Sequence, residues 1–157
     1  MLGSVAVERF GSVPFDFTWT YSMASWAQVA VHLGDREAMQ AVYDGLAPFA
    51  DQVVVCATVV SGAVSHHLGV LAAALDELDQ AEEHFAAAAA THERMSLPTW
   101  VAHTALERGA ALLRRNQPGD RELALPLLQE ALAAAVEYEL GEDECRARQL
   151  LASEEAG

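Results

Sequence analysis

The sequence predicts an all-α protein: a right-handed α-solenoid of about three antiparallel helical hairpins with a C-terminal capping helix. Three observations carry that expectation. First, residues recur at a spacing of 43: Ala38, Ala81 and Ala124, then Val42, Phe85 and Leu128 four positions on, then Gly45, Ala88 and Ala131 seven positions on. Each set reads small, large, small on one helical face, so a neighbouring backbone can come close while a large side chain fills the gap. Second, another helical pattern precedes each set. Third, Gly, Asp and Pro punctuate the chain where one helix must end and the next begin.

Taken in order, residues 1–15 show no period and form an N-terminal extension. A repeat domain follows over 16–141, and 142–157 is a capping helix running into an acidic tail. Within the repeat domain a helix over Thr18 to Leu33 ends at Gly34-Asp35, and the helix carrying Ala38 and Val42 follows. Pro48 to Val60 contains "DQVVVCATVV", whose β-branched run reads locally as a strand. With no second strand expected to pair with it, the segment is read as a loop or an irregular helix start. The next helix spans Ser61 to Leu75, and its partner carries Ala81, Phe85 and Ala88. The third pair opens at Pro98, breaks at "NQPGD" after Arg115, and continues through Ala124, Leu128 and Ala131. Stacked hairpins of this kind bury what one hairpin leaves exposed, which predicts a core of Trp26, Leu33, Val42, Leu68, Leu71, Leu78, Phe85, Leu106, Leu113, Leu128 and Leu132.

Composition excludes several function classes. The chain has 157 residues, enough for one domain, and 52% are hydrophobic, so it folds. Nine basic residues, all Arg, face 23 acidic ones, a net charge of −14. A surface this acidic repels phosphate, so no direct nucleic acid partner is expected. Cys56 and Cys145 belong to no metal or redox motif, and the start of the chain lacks a secretory pattern, which points to the cytoplasm. The 24 residues between Asp51 and Asp76 carry no charged side chain. Gln52, Ser61, Ser65, His66 and His67 interrupt that stretch, so a buried segment is expected and no membrane span.

Second-hairpin residues carry a resemblance. Leu68-Gly69, with Ala81, Phe85 and Ala88 following the glycine by 12, 16 and 19 positions, resembles the tetratricopeptide pattern. The chain departs from it at Ser65, Ala72 and Glu93, where that family places Trp, Tyr and Pro. Across residues 14–141, the order "PFDFTW", "HLGDREAMQAVYDGLAPFADQVVV", "HHLGVLAAALDELDQAEEHF", "RMSLPTWVAHTALERGAALLRR" and "PGDRELALPLLQEALAAA" is similar to the C-terminal helical arrays of large LuxR-type ATP-binding transcriptional regulators and related bacterial signalling ATPases and adenylate cyclases. That resemblance implies a sensor or interaction arm of a longer polypeptide. The chain has no GxxxxGK[ST] and no basic recognition helix, so ATP and DNA binding would belong to other domains.

No residue set suggests catalysis. His66 and His67 project about 100° apart on a helix and cannot share a metal as an HxxxH pair does. The pair is read as one groove-facing and one packed histidine. Ser61 and Ser65 lack the strained turn and oriented acid that activate a nucleophile, and Glu82-Glu83 is a solvated face. We therefore expect no enzyme, no metal and no cofactor. In the tetratricopeptide-like register, Tyr21, Gln28 and His32, then His66 and Val70, then Thr104, Glu107 and Arg114 fall on the groove face. Arg114 would anchor a carboxylate of a protein or peptide partner. The rival expectations are an effector-binding sensor arm and a self-association unit, the latter forming a homodimer through an exposed N-terminal end. Trp19 and Trp100 are read as packing residues. The register has a direct test: Ala81→Leu should overpack a helix contact and lower the unfolding free energy in urea by about 1–3 kcal/mol.

Overall fold

The computed structural model describes residues 18–156, so the N-terminal extension predicted over 1–15 lies outside the described residues. Among the described residues the chain is mostly helical, with one two-stranded sheet. The helices are α1 (Trp19–Leu33), α2 (Arg36–Leu46), α3 (Val64–Ala74), α4 (Leu78–Arg94), α5 (Pro98–Arg115), α6 (Asp120–Glu137) and α7 (Gly141–Glu155). The chain forms two compact units that divide after His84, inside α4.

In the first unit, α1, α2 and α3 pack against one another. Gly34 ends α1 in the left-handed conformation (φ 67°), and Asp35 caps α2 by accepting a 3.0 Å hydrogen bond from the Ala38 amide. Glycine relieves the strain of the turn, and the carboxylate satisfies an amide that the helix leaves orphaned. Arg36 reaches from the start of α2 to donate 2.9 Å to the Leu75 carbonyl, placing a cation at the C-terminal end of α3. The unit's core is built from Met23, Ala27 and Ala30 of α1, Ala38, Val42 and Leu46 of α2, and Val64, Leu68 and Leu71 of α3.

The segment read as a loop is instead a hairpin, β1 (Val53–Cys56) paired antiparallel with β2 (Val59–Ala63). The partner that sequence reading lacked lies within the same valine run, two residues away across Ala57-Thr58, where Ala57 turns through φ 51°. No Asn-Gly or Asp-Gly marks that turn, which is why it was not legible. Val54 is buried in the unit's core, whereas Val55, Val59 and Val60 are exposed. Gly62 (φ 77°) falls where the ladder is irregular, and α3 therefore starts at Val64 and not at Ser61.

In the second unit, α5 packs along α6, and α7 packs on α6 and α5. The α5–α6 connection is held by Asp120, whose buried carboxylate accepts from the Arg115 fork at 2.9 and 2.7 Å and from the Gln117 amide at 2.9 Å. Hydrogen bonding by Arg115 holds this carboxyl below its ordinary pKa, against the opposing effect of burial. The capping helix α7 is fastened at three points: Asp143 to His103, Arg146 to Glu107, and Arg121 to Glu154. Ala147 is buried beneath it with Leu106 and Leu128.

The 43-residue recurrence marks buried positions. Ala38, Ala81, Ala124, Val42, Phe85, Leu128, Ala88 and Ala131 are all 0% exposed. Of the predicted core, Val42, Leu68, Leu71, Phe85, Leu106 and Leu128 are buried, and Trp26, Leu78, Leu113 and Leu132 are half-buried. Leu33 is a correction at 61% exposed: it follows Val29 by four positions, and Val29, itself 41% exposed, lies on the solvent side of α1.

Gly109 faces Leu128 so closely that an added Cβ would lie 2.8 Å from Leu128 Cγ. In a helix interior Gly→Ala ordinarily gains about 1 kcal/mol. Leu128 is fully buried and has no room to yield, so overpacking of about 1–3 kcal/mol outweighs that gain. Gly109→Ala should therefore lower stability in urea titration, whereas Gly141→Ala, with open space at its Cβ, should not.

Candidate functional site

The second unit holds an open groove of about 660 Å³ between the end of α4, the start of α5 and the second half of α6. Three local features shape it. Helix α4 ends through Ser96 in the left-handed conformation (φ 55°), with the Leu97 amide bonded back to the His92 carbonyl at 3.0 Å. Pro98 then suits the first turn of α5, where its missing amide costs nothing. From α6, Glu130, Ala133, Ala134 and Glu137 line the groove at i, i+3, i+4 and i+7, a single helical stripe, and Tyr138 follows them.

The floor is apolar, made by Leu97, Pro98, Val101 and the two alanines, and carboxylates rim it: Glu93 on one side, Glu130 and Glu137 on the other. His92 belongs to the base. It is fully buried, and its Nδ1 shares a 3.1 Å hydrogen bond with Thr104 Oγ1. Its ring lies 5.8 Å from Trp100, which in turn meets His103 edge-on at 5.2 Å. The base is thereby held rigid. Four arginines of this unit pair with carboxylates outside the groove lining, Arg115 with Asp120, Arg121 with Glu154, Arg146 with Glu107 and Arg148 with Glu144. The arrangement can hold an apolar chain and neutralise positive charge beside it.

None of the residues predicted for a groove lines this one. Tyr21, Gln28 and His32 share an exposed face of α1, and Val70 is half-buried in α3. His66 and Thr104 require correction, because both point inward, at 7% and 0% exposure. Thr104 is the partner of His92. Glu107 is half-buried and gripped by Arg146 of α7, a contact that spacing within α5 could not reveal. Arg114 is exposed on α5. The groove had a faint signature in "EALAAAVEY", where two glutamates seven apart flank alanines that a buried helix would be expected to cover.

The histidine pair is buried entirely, so neither ring faces a groove. His66 and His67 meet edge-on with centroids 5.4 Å apart, and His67 Nε2 donates to the Ser61 carbonyl at 2.7 Å. Trp19 packs edge-on against Phe49 at 5.3 Å. In the same unit Tyr43 Oη lies 2.8 Å from His84 Nε2 and 3.1 Å from Gln80 Oε1, tying α2 to α4. Among the described residues no group of three His, Cys, Asp or Glu side chains could hold a metal ion, and no helix is long and apolar enough to cross a membrane. Among the described residues the chain is a set of paired helices with an open groove lined by apolar and acidic side chains. No family model, curated protein or solved structure matches the chain.

Burial lowers the pKa of His67 from the ordinary 6.5, outweighing the opposing effect of the Ser61 carbonyl. His84 is lowered too, again chiefly by burial and against the neighbouring charge of Glu83. A depressed histidine binds fewer protons folded than unfolded, so its contribution is complete above pH 6.5 and is lost as pH falls through the folded value. The urea midpoint should therefore drop on going from pH 7.5 to 5. His67→Gln, which removes one of the titrating groups, should show a shallower drop even though it starts from a lower midpoint.

Proposed function

We propose that this chain is a non-catalytic protein-interaction module of the tetratricopeptide-like kind, working in the cytoplasm as an arm of a larger bacterial regulator. The observation that carries the reading is the open groove of the second unit, with its apolar floor and rim of glutamates. Specific recognition of a protein segment needs apolar area to remove from water and polar groups at the edge to set orientation. Support for a repeat array, with hairpins stacked as a solenoid, comes from the 43-residue recurrence and the burial of its small and large positions. Similarity of the ordered segments to the arrays of LuxR-type regulators suggests the setting. The cytoplasmic assignment rests on two unpaired cysteines, one of them exposed.

A bulky side chain in the groove provides the test. Ala133 is exposed on α6 and lines the groove, so Ala133→Trp should fill it without disturbing the core. With the full chain immobilised as bait in extract of the source organism, quantitative mass spectrometry should find a set of proteins retained by the wild type and lost from Ala133→Trp, while circular dichroism and Tm stay equal. Identical capture by both proteins would overturn the groove as the interaction surface.

A further inference from the structure

We infer that the groove takes a segment of a partner protein in which apolar side chains alternate with arginines or lysines, an inference that rests on the interaction reading above. Three observations point to that chemistry. The charged side chains lining the groove are all acidic: Glu93 across from Glu130 and Glu137, over a floor that includes Leu97, Val101 and Ala134. Arg115, Arg121, Arg146 and Arg148 pair with carboxylates outside the groove, Asp120, Glu154, Glu107 and Glu144. The whole chain carries a net charge of −14, which draws a basic partner in and repels an acidic one.

The geometry also specifies a spacing. Glu130 and Glu137 are two helical turns apart on one edge of α6, about 10 Å along the axis at 1.5 Å per residue. An extended ligand presents side chains to one side only at every second residue, so cations four positions apart, about 13 Å, span that distance within the reach of long side chains, and a helical ligand covers it in about seven residues. Two cations separated by four or by seven positions, with apolar residues between them, would place each charge beside a glutamate and apolar side chains on the floor. A free small amine is a poorer occupant, because a groove open along its length leaves most of a small ligand's surface in water, whereas small-molecule sites enclose it. Nucleic acid would set phosphates against the glutamates.

The experiment is selection of a phage-displayed library of random twelve-residue peptides on the full-length chain, followed by fluorescence anisotropy with the recovered peptides. The expected peptides carry paired Arg or Lys at the stated spacing around Leu, Ile or Phe. Their affinity should fall about tenfold or more in the Glu130→Gln/Glu137→Gln double variant, and it should weaken similarly from low to high salt. Both glutamates are exposed, so this variant should retain the wild-type Tm. Neutral or acidic peptides that are lost from Ala133→Trp would overturn the basic-partner inference while leaving the interaction groove standing. Peptides bound equally by Ala133→Trp would overturn both. Recovery of no peptide, with spermidine alone protecting the chain from thermal unfolding in a Glu130- and Glu137-dependent way, would replace the protein segment with a small polycation and overturn the inference.

Discussion

Paired helices can approach closely only where one of them carries too little side chain to hold the other away, and each unit depends on such a place. In the first unit Gly45 of α2 meets the Met23 methyl and the Trp19 ring of α1; in the second, Gly109 of α5 meets Leu128 of α6. In the first pair the large residue is on the leading helix and the glycine on the following one, and in the second pair the arrangement is reversed. Complementarity between a small and a large partner is what packing demands, and which helix supplies which is free. The buried alanines at positions 38, 81, 88, 124 and 131 extend the same logic along each following helix.

Short connections keep these contacts in register. Helices α1, α3, α4 and α6 end in the same way, with an amide two or three residues past the helix bonded back to the carbonyl five positions earlier: Asp35 to Ala30, Glu77 to Ala72, Leu97 to His92 and Leu140 to Ala135. A left-handed residue is required at each, and only the first is glycine. Asp76, Ser96 and Glu139 adopt positive φ despite having side chains. Packing on both sides of these turns outweighs the local strain of about 1–2 kcal/mol per residue. At Ser96 that strained turn also forms one wall of the groove.

Charge is distributed by a similar division of roles. With no lysine and nine basic residues in total, the protein uses its arginines sparingly and structurally. Arg36 caps α3, Arg115 locks the start of α6, and Arg121 and Arg146 hold α7 in place. The charged side chains that line the groove are carboxylates, Glu93, Glu130 and Glu137.

Helix positions were legible from the chain alone because each helix is long, periodic and punctuated by Gly, Asp or Pro; α1 and α5 fall within a residue of their expected spans. Burial at the recurring alanines and at Val42, Phe85 and Leu128 was legible for the same reason: an i, i+4, i+7 stripe declares which face must leave water. What the tertiary structure alone decided are matters of partnership between distant residues. The valine hairpin needed its own second half as a partner, Thr104 turned inward to meet His92, and Glu107 was taken by Arg146. The groove joins Glu93 to Glu137 across three helices. Periodicity within a helix assigns a side chain to a face, but only packing determines what that face meets.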